Sequence, residues 1–358
     1  MFQWADGGSL RDFYEQNKRP SLDPGFIKEI IKQLTGLADA VDALHNFGGD
    51  GSYRHGDLKP ENILRFEDGT RVGILKIADM GLAKHHPMRT ALRPIGTSTR
   101  FGTPSYEPPE VVTLSEAARS RLYDIWSMGC ITLEVIVWLL YGYDAVLNFN
   151  NSLKTFPGNP SPYWESELQG EKRVAKVHSS VTACMDHIGQ DPECVGSTAL
   201  ADLLKIVKTK LLVVALRKDT KTFRPDQNLS ISSTGDQSPT VPTFQISEPG
   251  VVEDSLRRGP FRADAITFRS SLEEILSNGM NNDSYWYTGS ARHGLDEKFN
   301  KLLSPKGLSA RAPPADRARD VPQLAAQVSG LRAPIQRPDV RSHSSGSIYL
   351  PGEILTCF

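Results

Sequence analysis

Apolar residues recur at intervals of three and four between Pro24 and Phe47, the pattern of one face of a long helix. The members of this apolar set are Ile27, Ile30, Ile31, Leu34, Leu37, Ala38, Val41 and Leu44. Pro24 suits the first turn of a helix, and the Gly48-Gly49 pair suits its end. The pattern therefore predicts one helix over 24–47.

The pattern changes to short strands after this helix. "NILRF" (62–66) and "GILKIAD" (73–79) read as strands, and "EDGT" between them carries the Asp-Gly pair favoured in hairpin turns. The stretch 121–141 is apolar on nearly all sides and predicts a central buried helix. Helical spacing returns at 198–217 and 262–276. These elements together predict an α+β protein that is mainly helical.

Four segments predict little regular structure. The stretch 148–170 is rich in Asn, Pro and Ser, and 79–110 is rich in turn residues, Ser and Thr. The segment 218–260 is polar and predicts an insertion with little to bury. Bias toward Pro, Ser, Arg and Ala predicts a disordered tail over 288–358. The folded domain is expected within 11–287.

Composition excludes some partners. The 358 residues carry 41 basic and 42 acidic side chains, a formal charge of -1, so no nucleic-acid or membrane partner is expected. The apolar run 131–140 is too short to span a bilayer and contains Glu134. The start of the chain lacks the pattern of a secretory signal, and four scattered cysteines do not make a disulfide framework. We therefore expect an intracellular protein, cytoplasmic or nuclear.

The stretch "YRHGDLKPENIL" (53–64) concentrates chemistry-bearing residues ahead of the predicted hairpin. Asp57 and Asn62 lie five residues apart, and Asp79 follows directly beyond the hairpin. Their oxygen atoms suit Mg²⁺, which prefers carboxylate and amide ligands together with substrate phosphates. Lys59 adds a positive charge where a phosphate would develop negative charge. Taken singly, each residue equally fits an ordinary turn in which Asp57 caps and Asn62 bonds to backbone.

Five motifs in this order resemble the catalytic core of the eukaryotic protein kinases. The motifs are "HGDLKPEN" at 55–62, "DMG" at 79–81, "GTPSYEPPE" at 102–110, "DIWSMG" at 124–129, and the late Arg262. The resemblance implies a protein-kinase-like fold, with a mainly helical large lobe and a small β-hairpin that carries the catalytic and metal loops. It makes 79–110 the activation segment.

The resemblance also implies roles for single residues. Asp57 would orient the substrate hydroxyl and accept its proton, and Lys59 would contact the transferred phosphate. Asn62 and Asp79 would hold the Mg²⁺ ions that bridge the phosphates of ATP. Thr103 would support Asp57 and Lys59 from below. The lysine in "DLKPEN" resembles the serine/threonine branch of the family.

Two further contacts are implied as structural: an ion pair between Glu110 and Arg262, and a bond from Asp124 to the backbone of the catalytic loop.

Residues 1–10 resemble the hinge between the two lobes of a protein kinase. The backbone near Gln3 to Ala5 would then bind adenine, and Leu10 and Leu64 would cover one face of the ring. If this holds, the chain begins at the hinge, and we expect it to contain only the large lobe. Gly56 replaces the arginine that normally pairs with a phosphorylated activation loop, so the sequence gives no support for that form of control.

Three functions stay open. The first is a serine/threonine protein kinase that transfers phosphate from Mg-ATP to a protein substrate. The second is a catalytically impaired, kinase-like scaffold that holds partners through 218–260 and 289–358. The third is a small-molecule phosphotransferase, which "GTPSYEPPE" disfavours because in the family that segment docks a peptide.

Overall fold

The computed structural model describes residues 4–47, 52–82, 84–86, 103–113, 121–154, 161–169, 172–216, 260–292 and 294–303. The strands within these ranges are β1 (Ser52–Arg54), β2 (Ile63–Phe66), β3 (Ile74–Ile77), β4 (Lys84–His86), β5 (Trp164–Gln169) and β6 (Lys172–Val177). They pair antiparallel as β1 with β4, β2 with β3, and β5 with β6.

The α-helices within the same ranges are α1 (Leu10–Gln16), α2 (Pro24–His45), α3 (Glu110–Thr113), α4 (Leu122–Tyr141), α5 (Tyr143–Ser152), α6 (Ser179–Ile188), α7 (Ala199–Ile206), α8 (Ala265–Asn278), α9 (Asp283–Trp286) and α10 (Leu295–Leu303). Helices thus dominate over short strands, so the predicted α+β class is confirmed.

Local sequence determines where α1 and α2 begin. The Asp23 side chain accepts a 2.9 Å hydrogen bond from the N–H of Phe26, and Pro24 occupies the first turn of α2. At α1, Ser9 and Asp12 form a reciprocal capping box. The predicted helix over 24–47 is confirmed as α2.

The predicted hairpin is present as β2 and β3, with Ile63 opposite Ile77. Its loop runs over 67–73, one residue longer than the gap between the predicted strands 62–66 and 73–79. Gly73 closes the loop at φ 76, where a Cβ atom would lie 2.4 Å from the carbonyl oxygen of Phe66. Only glycine fits this close approach without a shift of the backbone.

Helix α4 is the centre of the core, as its apolar sequence predicted. Every residue from Tyr123 to Tyr141 is buried. The helix has the length and composition of a membrane span, but 94% of its most apolar window is buried by other parts of the protein. That burial is typical of a core helix.

Regular structure extends through much of 148–170, where the sequence pattern predicted none. Helix α5 runs to Ser152, and β5 begins at Trp164 and pairs with β6. The two strands are short and rich in charged residues, so they lack the alternation of apolar and polar residues by which a strand is predicted. The Trp164 indole donates a 3.1 Å hydrogen bond to the carbonyl of Glu107 and ties this hairpin to the segment before α3.

The structure also corrects the prediction of a disordered tail from residue 288. Residues 294–303 contain α10, whose Phe299 is fully buried and stacks on Tyr141 at 4.3 Å. The sequence pattern missed it because only a few apolar residues, Phe299 and Leu303 among them, anchor a short and highly charged helix. The remaining predicted tail, 304–358, and nearly all of the polar insertion 218–260 lie outside the described residues.

Candidate active site

The Asp57 carboxylate is held by four hydrogen-bond donors. Oδ1 accepts bonds of 2.9 Å from both the N–H and the hydroxyl of Thr103. Oδ2 accepts from Lys59 Nζ at 2.9 Å and from Asn62 Nδ2 at 3.2 Å. Only 10% of the Asp57 side chain is exposed. These contacts hold the carboxylate in one orientation.

Lys59 lies between the two sides of this site. Its ammonium group donates to Asp57 and, at 2.9 Å, to the hydroxyl oxygen of Thr103. The predicted support of Asp57 and Lys59 by Thr103 is therefore present, across 46 and 44 residues of sequence. A fixed ammonium beside a fixed carboxylate can neutralise one anion while the carboxylate accepts a proton.

The backbone of the loop that carries Asp57 is anchored on a fully buried carboxylate, Asp124. The N–H groups of His55 and Gly56 each donate to Asp124 at 2.9 Å, as the resemblance implied, and His45 Nε2 lies 2.9 Å from the same group. Burial by itself raises the pKa of Asp124. The hydrogen bond from His45, the charges of His45 and His55 and the Gly56 N–H outweigh it, so the pKa lies below its ordinary value.

Asn62 and Asp79 come close together through the hairpin backbone. The N–H of Ala78 donates to the carbonyl of Asn62 at 2.9 Å, and Asp79 is the next residue. Asp79 is exposed and adopts φ 62, a left-handed conformation that is uncommon for residues other than glycine. Such backbone strain is concentrated at functional sites.

The donor set fits a hard cation. Both Asn62 Nδ2 bonds go to Asp57, so the amide oxygen faces the other way. With the exposed carboxylate of Asp79 it offers two oxygen ligands, and Mg²⁺ usually takes its other ligands from water and phosphate. Within the described parts of the chain, no three His, Cys, Asp or Glu side chains group as a metal site.

The hinge prediction is covered only in part. Gln3 lies outside the described residues, whereas the segment before α1 pairs with β2 through Gly7 N to Arg65 O and Arg65 N to Gly8 O, at 3.1 and 2.8 Å. This pairing brings the chain after Ala5 alongside the strand that contains Leu64. Such proximity is required if Ala5 and Leu64 are to contact the same adenine ring.

The two leucines predicted at this site differ in exposure. Leu64 is half-buried and has some free surface. Leu10 has only 2% of its surface exposed because it faces the core from the first turn of α1. In this structure Leu10 therefore belongs to the core, and its contact with an adenine ring stays a prediction.

Sequence reasoning missed a buried charge cluster beside the site. The fully buried Glu134 of α4 accepts hydrogen bonds at Oε1 from Tyr106, Asn150 and Tyr163, at 2.8, 2.9 and 3.1 Å. Arg11 lies 3.0 Å from the other oxygen, Oε2. Burial and the charge of Glu134 raise the pKa of Tyr106 well above its ordinary value. A single glutamate within the apolar run 131–140 was the available signal.

Arg11 links this cluster to the catalytic loop. Its Nε atom lies 2.9 Å from Glu61, which stands between Lys59 and Asn62 in sequence. Tyr106 follows Thr103 by three residues in the same turn. The cluster therefore joins α1, α4, the loop that carries Asp57 and the segment that carries Thr103.

A family model described as the protein kinase domain matches residues 1–149. The relatives include serine/threonine-protein kinase chk-2 of Caenorhabditis elegans, 41% identical over 26% of this chain and 17% of its own length. Probable serine/threonine-protein kinase fhkC of Dictyostelium discoideum is 32% identical over 49% of this chain and 27% of its own. Death-associated protein kinase related of Drosophila melanogaster is 33% identical over 54% of this chain and 28% of its own.

The chain thus spans less than a third of the length of these three relatives. The family match covers Asp57, Lys59, Asn62 and Asp79, and it ends within α5. These similarities support a relationship to the protein kinase superfamily.

Proposed function

We propose that this chain carries the phosphoryl-transfer site of a serine/threonine protein kinase. The reaction would move the γ-phosphate of Mg-ATP to serine and threonine hydroxyls of a protein substrate. The observation that carries the proposal is the convergence of Thr103, Lys59 and Asn62 on the single carboxylate of Asp57.

Each side chain has a place in that reaction. Asp57 would accept the proton as the substrate oxygen bonds to the γ-phosphorus, while the bond from that phosphorus to the β–γ bridging oxygen breaks and ADP leaves. Lys59 would compensate charge on the phosphoryl oxygens. Asn62 and Asp79 supply oxygen ligands to Mg²⁺, which neutralises the phosphates when bound. Thr103 bonds to both Asp57 and Lys59 and so fixes their relative positions. The rate of phosphoryl transfer depends mainly on such positioning.

The serine/threonine preference is supported by the lysine two residues after Asp57 and by the relatives' printed names. A protein substrate is supported by the ordered segment after Thr103. Its turn Pro104–Tyr106 is anchored by Tyr106 on Glu134 and by the indole of Trp164 on Glu107. A rigid, partly exposed strip next to Asp57 can hold an extended peptide.

The test is phosphate transfer by the full chain from radiolabelled ATP with Mg²⁺ to a protein that offers Ser, Thr and Tyr. We expect phosphoserine and phosphothreonine, and a loss of at least about 100-fold in Asp57→Asn, because a general base typically contributes this much. Asp186→Asn is the matched control, since Asp186 is an exposed aspartate on α6 that pairs only with Lys208 among the described residues.

Equal transfer by the Asp57 and Asp186 variants would refute the assigned base, and phosphotyrosine as product would refute the assigned specificity. Binding of Mg-ATP is measured separately by calorimetry with the unmodified chain and with Asp79→Asn. Failure of the unmodified chain to bind would exclude catalysis by it and favour the scaffold function.

A further inference from the structure

The segment 288–292, called the clasp below, satisfies two buried carboxylates on one turn. Asp191 and Glu193, next to and within the turn Pro192–Cys194, are 0% and 1% exposed. Arg292 contacts Asp191 through Nε and Nη2, with the shortest distance 2.7 Å. Tyr141 donates to the same carboxylate at 3.1 Å. The positive charge at this turn is therefore already paired with Asp191.

Glu193 is held by neutral donors of the clasp. The N–H of Thr288 donates to Oε2 at 2.9 Å, and the Thr288 hydroxyl and the N–H of Gly289 donate to Oε1 at 2.6 and 3.0 Å. No ion pair of Glu193 occurs within the ranges that the structure describes. Thr288 itself is exposed to solvent. A surface hydroxyl thus helps to satisfy a buried charge.

The clasp leads directly into α10, which covers part of the core. Phe299 of α10 stacks on Tyr141 with an interplanar angle of 12° and lies 5.4 Å from the ring of His187. Asn300 contacts Asn148 of α5 at 3.2 Å. Because α10 is only nine residues long, it would be marginal as an isolated helix and depends on this docking.

We propose that Thr288 is a phosphorylation site whose modification releases the clasp and α10 from the helical core. A protein kinase acting in trans supplies the phosphoryl group from ATP. The Thr288 oxygen forms a bond to the γ-phosphorus, the bond to the β–γ bridging oxygen breaks, ADP leaves, and the hydroxyl proton passes to the base of that kinase. The inference does not depend on transfer by this chain.

Charge gives the direction of the switch. A phosphate on Thr288 removes the donor at 2.6 Å and places about −1.5 to −2 charge beside the Glu193 carboxylate. Arg292 already contacts Asp191 through Nε and Nη2, so a phosphate that draws its guanidinium away weakens the pairing of that buried carboxylate. Each route removes support from a buried carboxylate, so the modified clasp is stable only when it is open and solvated.

The decisive comparison installs phosphothreonine at 288 in the full chain and measures hydrogen exchange. We expect the amides of 295–303 to exchange at least about tenfold faster, the effect of losing one hydrogen bond to a charged group. Phosphoserine at 284 is the matched control, because Ser284 is exposed and bonds Asn282 instead of a carboxylate. Exchange in α4 reports whether the core stays folded.

Equal protection of 295–303 in the phosphorylated and unmodified chains would overturn the proposed release. The site itself is tested on full chain recovered, with phosphatases inhibited, from cells that produce it. Trypsin yields one peptide over 270–292, and its fragmentation locates any phosphate. Phosphate on Thr288 supports the proposal, and a peptide without phosphate at that residue overturns the assignment of the site.

Discussion

Arg262 and Glu110 form a bidentate ion pair across 152 residues of sequence, with N–O distances of 2.5 and 3.0 Å. Both side chains are buried, at 0% and 2% exposure. Arg262 also donates to the carbonyls of Val213 and Leu122, so all three nitrogens of the guanidinium are used. This pair attaches the segment before α8 to the segment that carries Thr103.

Arg262→Met should lower the free energy of unfolding by about 3–5 kcal/mol, because it leaves the Glu110 carboxylate buried without its cation. Urea unfolding followed by circular dichroism measures the change. Lys208→Met serves as control, since it removes an exposed pair with Asp186 and should cost less than about 1 kcal/mol. Similar losses in the two variants would contradict the structural role of the buried pair.

Thr103→Val should reduce phosphoryl transfer about 10- to 100-fold, because the side chain loses its hydrogen bonds to two charged groups, Asp57 and Lys59. Valine has nearly the shape of threonine but cannot donate to Asp57 or accept from Lys59. Thr103→Ser retains the hydroxyl and should stay close to the unmodified rate. Steady-state kinetics on a peptide substrate separate the two, and equal rates would show that the hydroxyl has no part in positioning.

Glu134 and Glu61 both contact Arg11, but they should differ sharply in how much stability their substitution costs. Glu134→Gln should lower the free energy of unfolding by about 3 kcal/mol or more, because Arg11 and three hydrogen-bond donors lose a fully buried carboxylate partner. Glu61→Gln should cost less than about 1 kcal/mol, because 47% of the Glu61 side chain is exposed. Thermal and urea unfolding of the two variants measure this difference, and the reverse order would exclude Glu134 as the anchor.

Acid should weaken the contacts of Asp124 that anchor the loop carrying Asp57. The pKa of Asp124 is lowered in the folded protein from its ordinary value of 3.8, despite burial, by His45, by His55 and by the Gly56 N–H. A lowered pKa gives stability that is complete above the unfolded-state value and is lost as the pH falls through the folded-state value. The free energy of unfolding should therefore decline below about pH 4.

Asp124→Asn is the comparison for this pH effect. The variant should be less stable near neutral pH and should show a shallower decline in acid, because the titrating group is gone. An acid slope identical in both proteins would assign the effect to other carboxylates.

Two glycines should respond to alanine in opposite directions. Gly56 adopts φ 81, so Gly56→Ala should lower stability by about 1–2 kcal/mol. Gly36 lies inside α2, where a Cβ atom would have no neighbour within 4 Å among the described residues, and Gly36→Ala should raise stability by about 0.5–1 kcal/mol. Unfolding curves of both variants test the pair. A neutral effect at Gly56 would mean that the loop can adjust its backbone there.

The elements that sequence predicted well are those with a strong repeating pattern. Helices α2 and α4 have many apolar residues at helical spacing, and the β2–β3 hairpin has a turn signal between two apolar runs. The motifs and their order also predicted two contacts: the bonds from the backbone of His55 and Gly56 to Asp124, and the ion pair of Glu110 with Arg262. Such contacts can be predicted from motifs because each contact requires side chains of a particular kind at particular positions.

The features that sequence missed depend on contacts between distant segments. The clasp forms only because Asp191 and Glu193 are buried next to 288–292, and neither charge signals its burial in the sequence. The burial of Leu10 likewise follows from how α1 packs and not from any local pattern. Tertiary packing of this kind overrides local composition.

Ala78 is bonded on both sides, with its N–H to the carbonyl of Asn62 and its carbonyl 2.9 Å from His55 Nε2. The β2–β3 hairpin therefore holds Asn62 and Asp79, the two proposed oxygen ligands, at a fixed spacing. Extra residues are tolerable in the loop 67–73, at the end of the hairpin away from Asn62 and Asp79. They leave the pairing of Ile63 with Ile77 unchanged. A one-residue slip of the strands would instead turn every side chain of β3 to the opposite face and separate the ligands. An insertion in the loop 67–73 should therefore leave Asn62 and Asp79 next to each other at the opposite end of the hairpin.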